Sequence, residues 1–159
     1  DTDGLTGLHN RRAFDRTLNT EFNRARRFGK SLAVLLIDVD RFKQFNDRHG
    51  HDQGDRVLQG LAESMRQVFR EVDLPCRYGG EEFCAILPET DRMGASQVAE
   101  RLRQVVEAMI VDGLKITVSI GLAIRPDLDA PTPDVLVKAA DNALYEAKRA
   151  GRNRVCIAG

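Results

Sequence analysis

Two glycines followed by two glutamates, in Tyr78-Gly79-Gly80-Glu81-Glu82-Phe83, separate two short runs that both read as strands, Cys76 to Tyr78 and Phe83 to Leu87. Gly-Gly closes tight strand-to-strand turns, because both residues accept the positive φ values that a Cβ resists. A hairpin constrains the fold more than any other feature of the chain: strands joined by a tight turn run antiparallel, which argues against the all-parallel sheet of a three-layer doubly wound fold, the competing architecture. Pro88 stops the second strand. Glu81 and Glu82 put negative charge on the turn where the apolar pattern asks for none. Taken alone, they suit a solvated hairpin tip.

The flanking sequence supplies the remaining elements. Asn10 is placed to cap a helix from Arg11 to about Phe28, with Phe14, Leu18, Phe22 and Ala25 on one apolar face and Gly29 as its terminator. Leu32 to Ile37 is a continuous apolar run, the pattern of a strand buried on both faces. It ends at Asp38-Val39-Asp40, where strand alternation sets both carboxylates on the same side. A short helix follows from Phe42 to about Asp47, closed near Gly50. Asp52 then caps a longer helix, Gln53 to Arg70, which Glu71-Val72-Asp73-Leu74-Pro75 breaks. Arg92 to Ile110 is amphipathic, and Lys115 to Ile124 is strand-like, with Ile116, Val118 and Ile120 on one face. Pro126, Pro131 and Pro133 mark a loop; Thr132 caps a helix to about Arg149, Gly151 ends it, and Val155 to Ile157 reads as an edge strand. The order α-β-α-α-β-β-α-β-α-β contains βαββαβ. The expected class is α+β: a ferredoxin-like, palm-type core with a central antiparallel hairpin and a mixed five-stranded sheet, its helices largely on one face.

The chain of 159 residues suits one domain, 1–159, and 42% apolar with 30% charged residues fits a globular protein. Lys plus Arg and Asp plus Glu both number 24, so no general polyanion surface is indicated and neither DNA nor RNA is an expected partner. Cys76, Cys84 and Cys156 show no C-x-x-C spacing and fall in strands, as reduced, buried thiols of a cytoplasmic protein would. His49 and His51 lack a third ligand for zinc and suit loop or packing roles. No apolar run approaches the ~20 residues that span a bilayer, so no membrane contact is expected of this domain. Because the chain opens at Asp1 without an initiator methionine, an excised domain with an upstream regulatory domain is expected.

In a βαββαβ sheet the first strand neighbours the hairpin, which brings Asp38 toward Glu81. Two converging carboxylates repel unless a cation, a proton or an arginine lies between them, and Mg²⁺ satisfies that demand with one or two carboxylates plus substrate phosphates. Metal-assisted phosphoryl or nucleotidyl transfer follows. Lys43 lies within reach of a phosphate, whereas Lys148 and Arg152 flank the end of the last helix, where complementing its dipole is the plainer role. Asn46 and Asp55 suit a purine edge, since a carboxylate accepts from guanine N1–H and N2–H₂. Arg70-Glu71-Val72-Asp73, taken alone, is a helix-end salt bridge or cap.

These motifs, in order, are Asp3-Gly4-Leu5-Thr6-Gly7-Leu8-His9-Asn10-Arg11-Arg12, Asp38-Val39-Asp40-Arg41-Phe42-Lys43, Asn46-Asp47, Gly50-His51 with Gly54-Asp55, Arg-Tyr-Gly-Gly-Glu-Glu-Phe, Ser119-Ile120-Gly121, and Ala147-Lys148 with Gly151-Arg152-Asn153. Together they resemble the GGDEF domain, a family of bacterial diguanylate cyclases, in its GGEEF variant, over nearly the whole chain. The resemblance implies that Asp38, the Val39 carbonyl and Glu81 bind Mg²⁺, with Mn²⁺ as a substitute, and that Glu82 stands close by. It implies that Gly79 and Gly80 leave room for GTP, that Asn46 and Asp55 read guanine, and that Lys43, Lys148 and Arg152 hold phosphates. Glu81 is the implied assistant in deprotonating the attacking 3′-hydroxyl. Two half-sites would face each other in a homodimer and release cyclic di-GMP and pyrophosphate. Arg70, Asp73 and Arg101 match an inhibitory product site. Two other readings stand beside this one: a silent GTP or cyclic di-GMP receptor, and a cyclase of another nucleotide.

Overall fold

The computed structural model describes residues 1–128 and 130–159. Its helices are α1 (Arg11–Phe28), α2 (Phe42–His49), α3 (His51–Val68), α4 (Arg92–Ala108) and α5 (Pro133–Arg149). Its strands are β1 (Leu32–Val39), β2 (Leu74–Arg77), β3 (Glu82–Pro88), β4 (Val118–Arg125) and β5 (Val155–Ile157). They form one sheet in the order β2-β3-β1-β4-β5, with β5 parallel to β4 and every other neighbouring pair antiparallel. The α+β class, the hairpin and the mixed five-stranded sheet are as expected.

The helices cover both faces rather than largely one. Ala33, Leu35, Ile37 and Val39 of β1 pack in one cluster with residues of α3 and α4, such as Leu61, Met65, Leu102 and Val106. Leu32, Val34 and Leu36 pack in a second with Phe14, Leu18 and Phe22 of α1 and Leu136, Ala140 and Leu144 of α5. The cause lies in β1 itself: a central strand that is apolar on successive residues has no side to give to water, so each face needs a cover.

Several boundaries move for local reasons. The Asn10 side chain accepts the Ala13 N–H at 3.0 Å and Gly29 closes α1 in the left-handed region, φ 66°, as read from the sequence. Asp52 does not cap α3. Gly50, at φ 91° and ψ 159°, turns the chain directly from α2 into α3, so α3 starts at His51 with Asp52 in its first turn, facing the helix dipole. Leu74 and Pro75 belong to β2 rather than to the helix-breaking segment, and proline is tolerated there because β2 is an edge strand. β1 extends through Asp38, which both neighbouring strands pair, and Val39, which β4 still pairs through Val118. Residues 115–117 precede β4 instead of opening it.

The packing of α5 on β4 fixes the distance from the sheet to the last helix. A Cβ on Gly121 would stand 2.8 Å from the Leu144 Cα and closer still to the Ala140 carbonyl oxygen and the Leu144 nitrogen. Only a residue without a side chain allows the helix to lie so near. Gly121→Ala is expected to destabilise the fold by about 3 kcal/mol or more through overpacking against backbone, measured by urea unfolding. A loss below about 1 kcal/mol would show that α5 is free to shift.

Candidate nucleotide and metal site

At the end of β1, Asp38 pairs with Glu82 of β3 on one side and Ser119 of β4 on the other, and the Val39 N–H donates to the Glu81 carbonyl oxygen at 3.2 Å. Asp38 is buried, 8% exposed, and its Oδ2 forms an ion pair with Lys148 Nζ of α5. Its Oδ1 is buried without a hydrogen-bond partner. Burial pushes the Asp38 carboxyl above its ordinary range, Lys148 pulls it down, and the charges of Glu81 and then Glu82 raise it again. The expected convergence of carboxylates therefore has a register: Glu82 lies opposite Asp38, and Glu81 one step outward beside Val39. Lys148, assigned to a phosphate from the sequence, pairs here with Asp38.

Among the described residues no group of three or more His, Cys, Asp or Glu side chains forms a ready-made metal cage. Mg²⁺ does not need one, because it takes one or two carboxylates and completes its shell with carbonyl, water and phosphate oxygens. A buried carboxylate oxygen with no donor, beside two further carboxylates, fits that ion. Asp38, the Val39 carbonyl and Glu81 are the residues that could hold it, with Glu82 adjacent.

The Gly79-Gly80 turn departs from its sequence-based explanation. Neither glycine has positive φ, unlike Gly7, Gly29, Gly50, Gly113 and Gly151, so backbone strain does not require them. A Cβ on Gly79 would meet the Glu82 carboxylate at 3.3 Å, and one on Gly80 would project into open space. The turn is instead closed by Tyr78 and Gly79 N–H groups donating to the Glu82 carbonyl at 2.7 and 3.0 Å. Arg77 braces it from below: Nε donates to the Gly79 and Gly80 carbonyls, each at 3.1 Å, and Nη2 to Gly80 at 2.8 Å. Nη1 reaches Asp3 at 3.3 Å, and Asp3 in turn accepts the Thr6 N–H and hydroxyl at 2.9 and 2.8 Å. Sequence reading gave neither Arg77 nor Asp3 a role, although both lie in motifs it singled out; their sequence separation hid the contact.

Asn46, on α2, packs against the start of α3. A Cβ on Gly54 would lie 2.9 Å from Asn46 Cγ and closer to its Oδ1, so glycine is what admits the amide. The Asn46 Oδ1 and Gln53 Oε1 are both buried without partners. Asp55, exposed, follows Gly54 directly. This corner offers acceptors to an incoming donor edge. Lys43 is exposed in the first turn of α2, and Arg152 sits half-buried after Gly151 in the α5–β5 turn, at φ 66°. Arg152 lines a hollow of about 520 Å³ with Asp40, Arg41, Arg48, Lys115 and Asn153 among its other walls.

Arg70 and Asp73 form a separate site. Asp73 is buried; its carboxylate accepts the Arg70 backbone N–H at 2.8 Å and the guanidinium at 2.7 Å, so the helix-end salt bridge is real. Arg70 Nη2 also donates to the Pro88 carbonyl and Thr90 Oγ1, at 2.9 and 2.8 Å. A hollow of about 590 Å³ lies over this pair, bounded by Thr90, Gly94, Gln97 and Val98. Arg101 is exposed one turn further along α4, outside that lining. His49 packs its ring against Phe45, tilted at 54° with centroids 4.8 Å apart, and His51 is exposed at the start of α3.

The Asp3 brace carries a pH dependence. Burial tends to raise the Asp3 carboxyl, but hydrogen bonds from Thr6 and Arg77 outweigh it and hold the group below its ordinary value. Its contribution is thus present above the unfolded value of 3.8 and lost as pH falls through the folded one. Asp3→Asn is expected to lower the melting temperature at neutral pH, with the gap to wild type narrowing below about pH 4. A gap that stays constant on acidification contradicts the brace.

Residues 1–154 match the family model described as diguanylate cyclase, GGDEF domain. Response regulator PleD of Caulobacter vibrioides is 44% identical over 97% of this chain, a span that makes up 35% of PleD. The GGDEF domain of DgcB from Caulobacter crescentus, solved in complex with c-di-GMP, superposes with a TM-score of 0.93 at 37% identity, covering 99% of this chain and 92% of that one. The active GGEEF domain of a diguanylate cyclase from Vibrio cholerae gives 0.90 at 35% identity, covering 96% and 98%. The chain spans about a third of the length of PleD. With that coverage of sequence and fold, and with the β1 end, the glycine turn and the α5 terminus assembled as described, this chain belongs to the GGDEF domain family.

Proposed function

We propose that the chain is a diguanylate cyclase that condenses two GTP to cyclic di-GMP with release of two pyrophosphates, working as a homodimer in the cytoplasm. The observation that carries this reading is the buried Asp38 with one unpartnered oxygen, flanked by Glu81 and Glu82 and by the Lys148 ammonium. When bound, Mg²⁺, or Mn²⁺ in its place, neutralises charge on the phosphates and on the departing pyrophosphate. Asp38, the Val39 carbonyl and Glu81 hold it, and Glu82 adds negative potential. Asn46 and Asp55 accept from the guanine edge. Lys43, Arg152 and Lys148 bind phosphate oxygens, Lys148 exchanging its carboxylate partner for the nucleotide. Gly79 and Gly80 leave the turn bare so that the nucleotide lies across it. Glu81 assists in removing the proton of the 3′-hydroxyl. That oxygen attacks the α-phosphorus of the GTP on the facing copy as the bond to pyrophosphate breaks.

The Arg70–Asp73 pair, held in a hollow away from the turn, supports product inhibition, since an arginine fork suits guanine O6 and N7 or a phosphate, with Arg101 as an outlying contributor. DgcB was solved with c-di-GMP, and PleD is named a response regulator; both support a regulated cyclase, with an upstream sensor pairing two copies. No helix among the described residues is long and apolar enough to cross a membrane.

Incubation with GTP and Mg²⁺ across a range of protein concentrations is the test. The reading predicts cyclic di-GMP at a rate per chain that rises with concentration; no product at any concentration overturns it and leaves the receptor. Replacing GTP by ATP should yield no cyclic product, which separates this reading from a cyclase of another nucleotide. Glu81→Gln is expected to lower turnover by about a thousandfold, in the range of a lost acid–base group, with cyclic di-GMP binding retained. Arg70→Ala is expected to do the opposite, abolishing inhibition while initial turnover persists.

A further inference from the structure

Asp40 shares the sheet face of Asp38 but stands in the opposite condition. Its Oδ1 accepts the Ser119 hydroxyl at 2.6 Å, and its Oδ2 accepts the Thr117 hydroxyl at 2.7 Å and the Asn153 backbone N–H at 3.0 Å. Its own N–H donates to the Thr117 carbonyl at 2.9 Å. One carboxylate thus ties together the exit of β1, the entry to β4 and the turn between α5 and β5. Charge-assisted bonds of this kind are the strong ones.

The turn it holds needs holding. Gly151, Arg152 and Asn153 have φ of 128°, 66° and 46°, three successive residues in a region that side-chain-bearing residues resist. The Arg152 N–H bonds the Ala147 carbonyl at 3.0 Å, and the Ile120 N–H bonds the Arg154 carbonyl at 3.0 Å, which fixes the two ends of the turn. Asn153 is further tied through its side chain to Arg103 and Glu107 of α4. Asp40 supplies the tie to β1, the strand whose end carries Asp38.

We infer that Asp40 is a positioning residue, clamping the α5–β5 turn to the β1 end so that Arg152 is presented to the phosphates of the bound nucleotide. The inference rests on the GTP-binding role proposed above for Arg152. Asp40 does not touch the nucleotide in this account; it acts through Asn153, Thr117 and Ser119. Its chemistry admits one conservative replacement. In Asp40→Asn the amide nitrogen can donate to the Ser119 hydroxyl while the remaining oxygen accepts from Thr117 and Asn153. Asp40→Ala loses all three side-chain bonds.

The experiment compares the wild type, Asp40→Ala and Asp40→Asn by binding of GTP and of guanosine, and by exchange of the Asn153 amide. Asp40→Ala is expected to weaken GTP binding about tenfold, the scale of a modest misplacement, while guanosine affinity is unchanged and Asn153 exchanges faster. Asp40→Asn is expected to restore GTP binding and slow exchange. Equal losses for GTP and guanosine, or no recovery in Asp40→Asn, overturn the inference. If Asp40→Ala does not fold, Thr117→Val and Ser119→Ala each remove one tie and are expected to weaken GTP binding in the same direction; unchanged GTP affinity in both overturns it. A wild type that binds no GTP refutes the proposed function instead, and Asn153 exchange then still reads the clamp, with equal rates in wild type and Asp40→Ala refuting it.

Discussion

A buried carboxylate near two others stays ionised only if a cation faces it, and this constraint organises the end of the molecule that carries the candidate site. Asp38 is drawn into the core by the strand it terminates, yet only one of its oxygens finds a protein partner, the ammonium of Lys148. The cost of holding that charge out of water is high, and mutual repulsion with Glu81 and Glu82 adds to it. A site balanced in this way favours a further cation and, with that cation, an anion to which Lys148 can turn.

The fold exists to bring those groups within range. β1 is apolar on both faces, so α1 and α5 cover one side and α3 and α4 the other. The missing side chain of Gly121 lets α5 lie on β4 closely enough for Lys148, one turn beyond Leu144, to reach the strand end. On the opposite side of the sheet the missing side chain of Gly54 lets α3 close against Asn46. Two glycines in the framework thus set the positions of Lys148 and Asn46, by close approach of backbone rather than by turn geometry.

Much of this was legible in the sequence. The β1 run, the caps at Asn10 and Thr132, the left-handed stop at Gly29 and the hairpin were all readable because each is a local signal. The two-sided cover was not read, although β1 itself implied it. Asp52 was misread because a capping residue type was present while the actual device was the backbone of Gly50. The glycines at 79 and 80 were assigned to turn strain that the backbone does not have, and removing that explanation strengthens the case that they are bare for a ligand. The Asp3–Arg77 brace, the Asp40 clamp and the meeting of Lys148 with Asp38 join residues remote in sequence, which no single-sequence pattern reveals.

The central claim is that Asp38 makes nucleotide binding depend on a divalent cation. Calorimetric titration of 3′-deoxy-GTP, which cannot attack a second nucleotide, tests it with and without Mg²⁺ and again in Asp38→Asn. The account predicts that Mg²⁺ tightens binding to the wild type by about tenfold or more and that this coupling disappears in the variant. Equal affinity with and without Mg²⁺ in the wild type would contradict it.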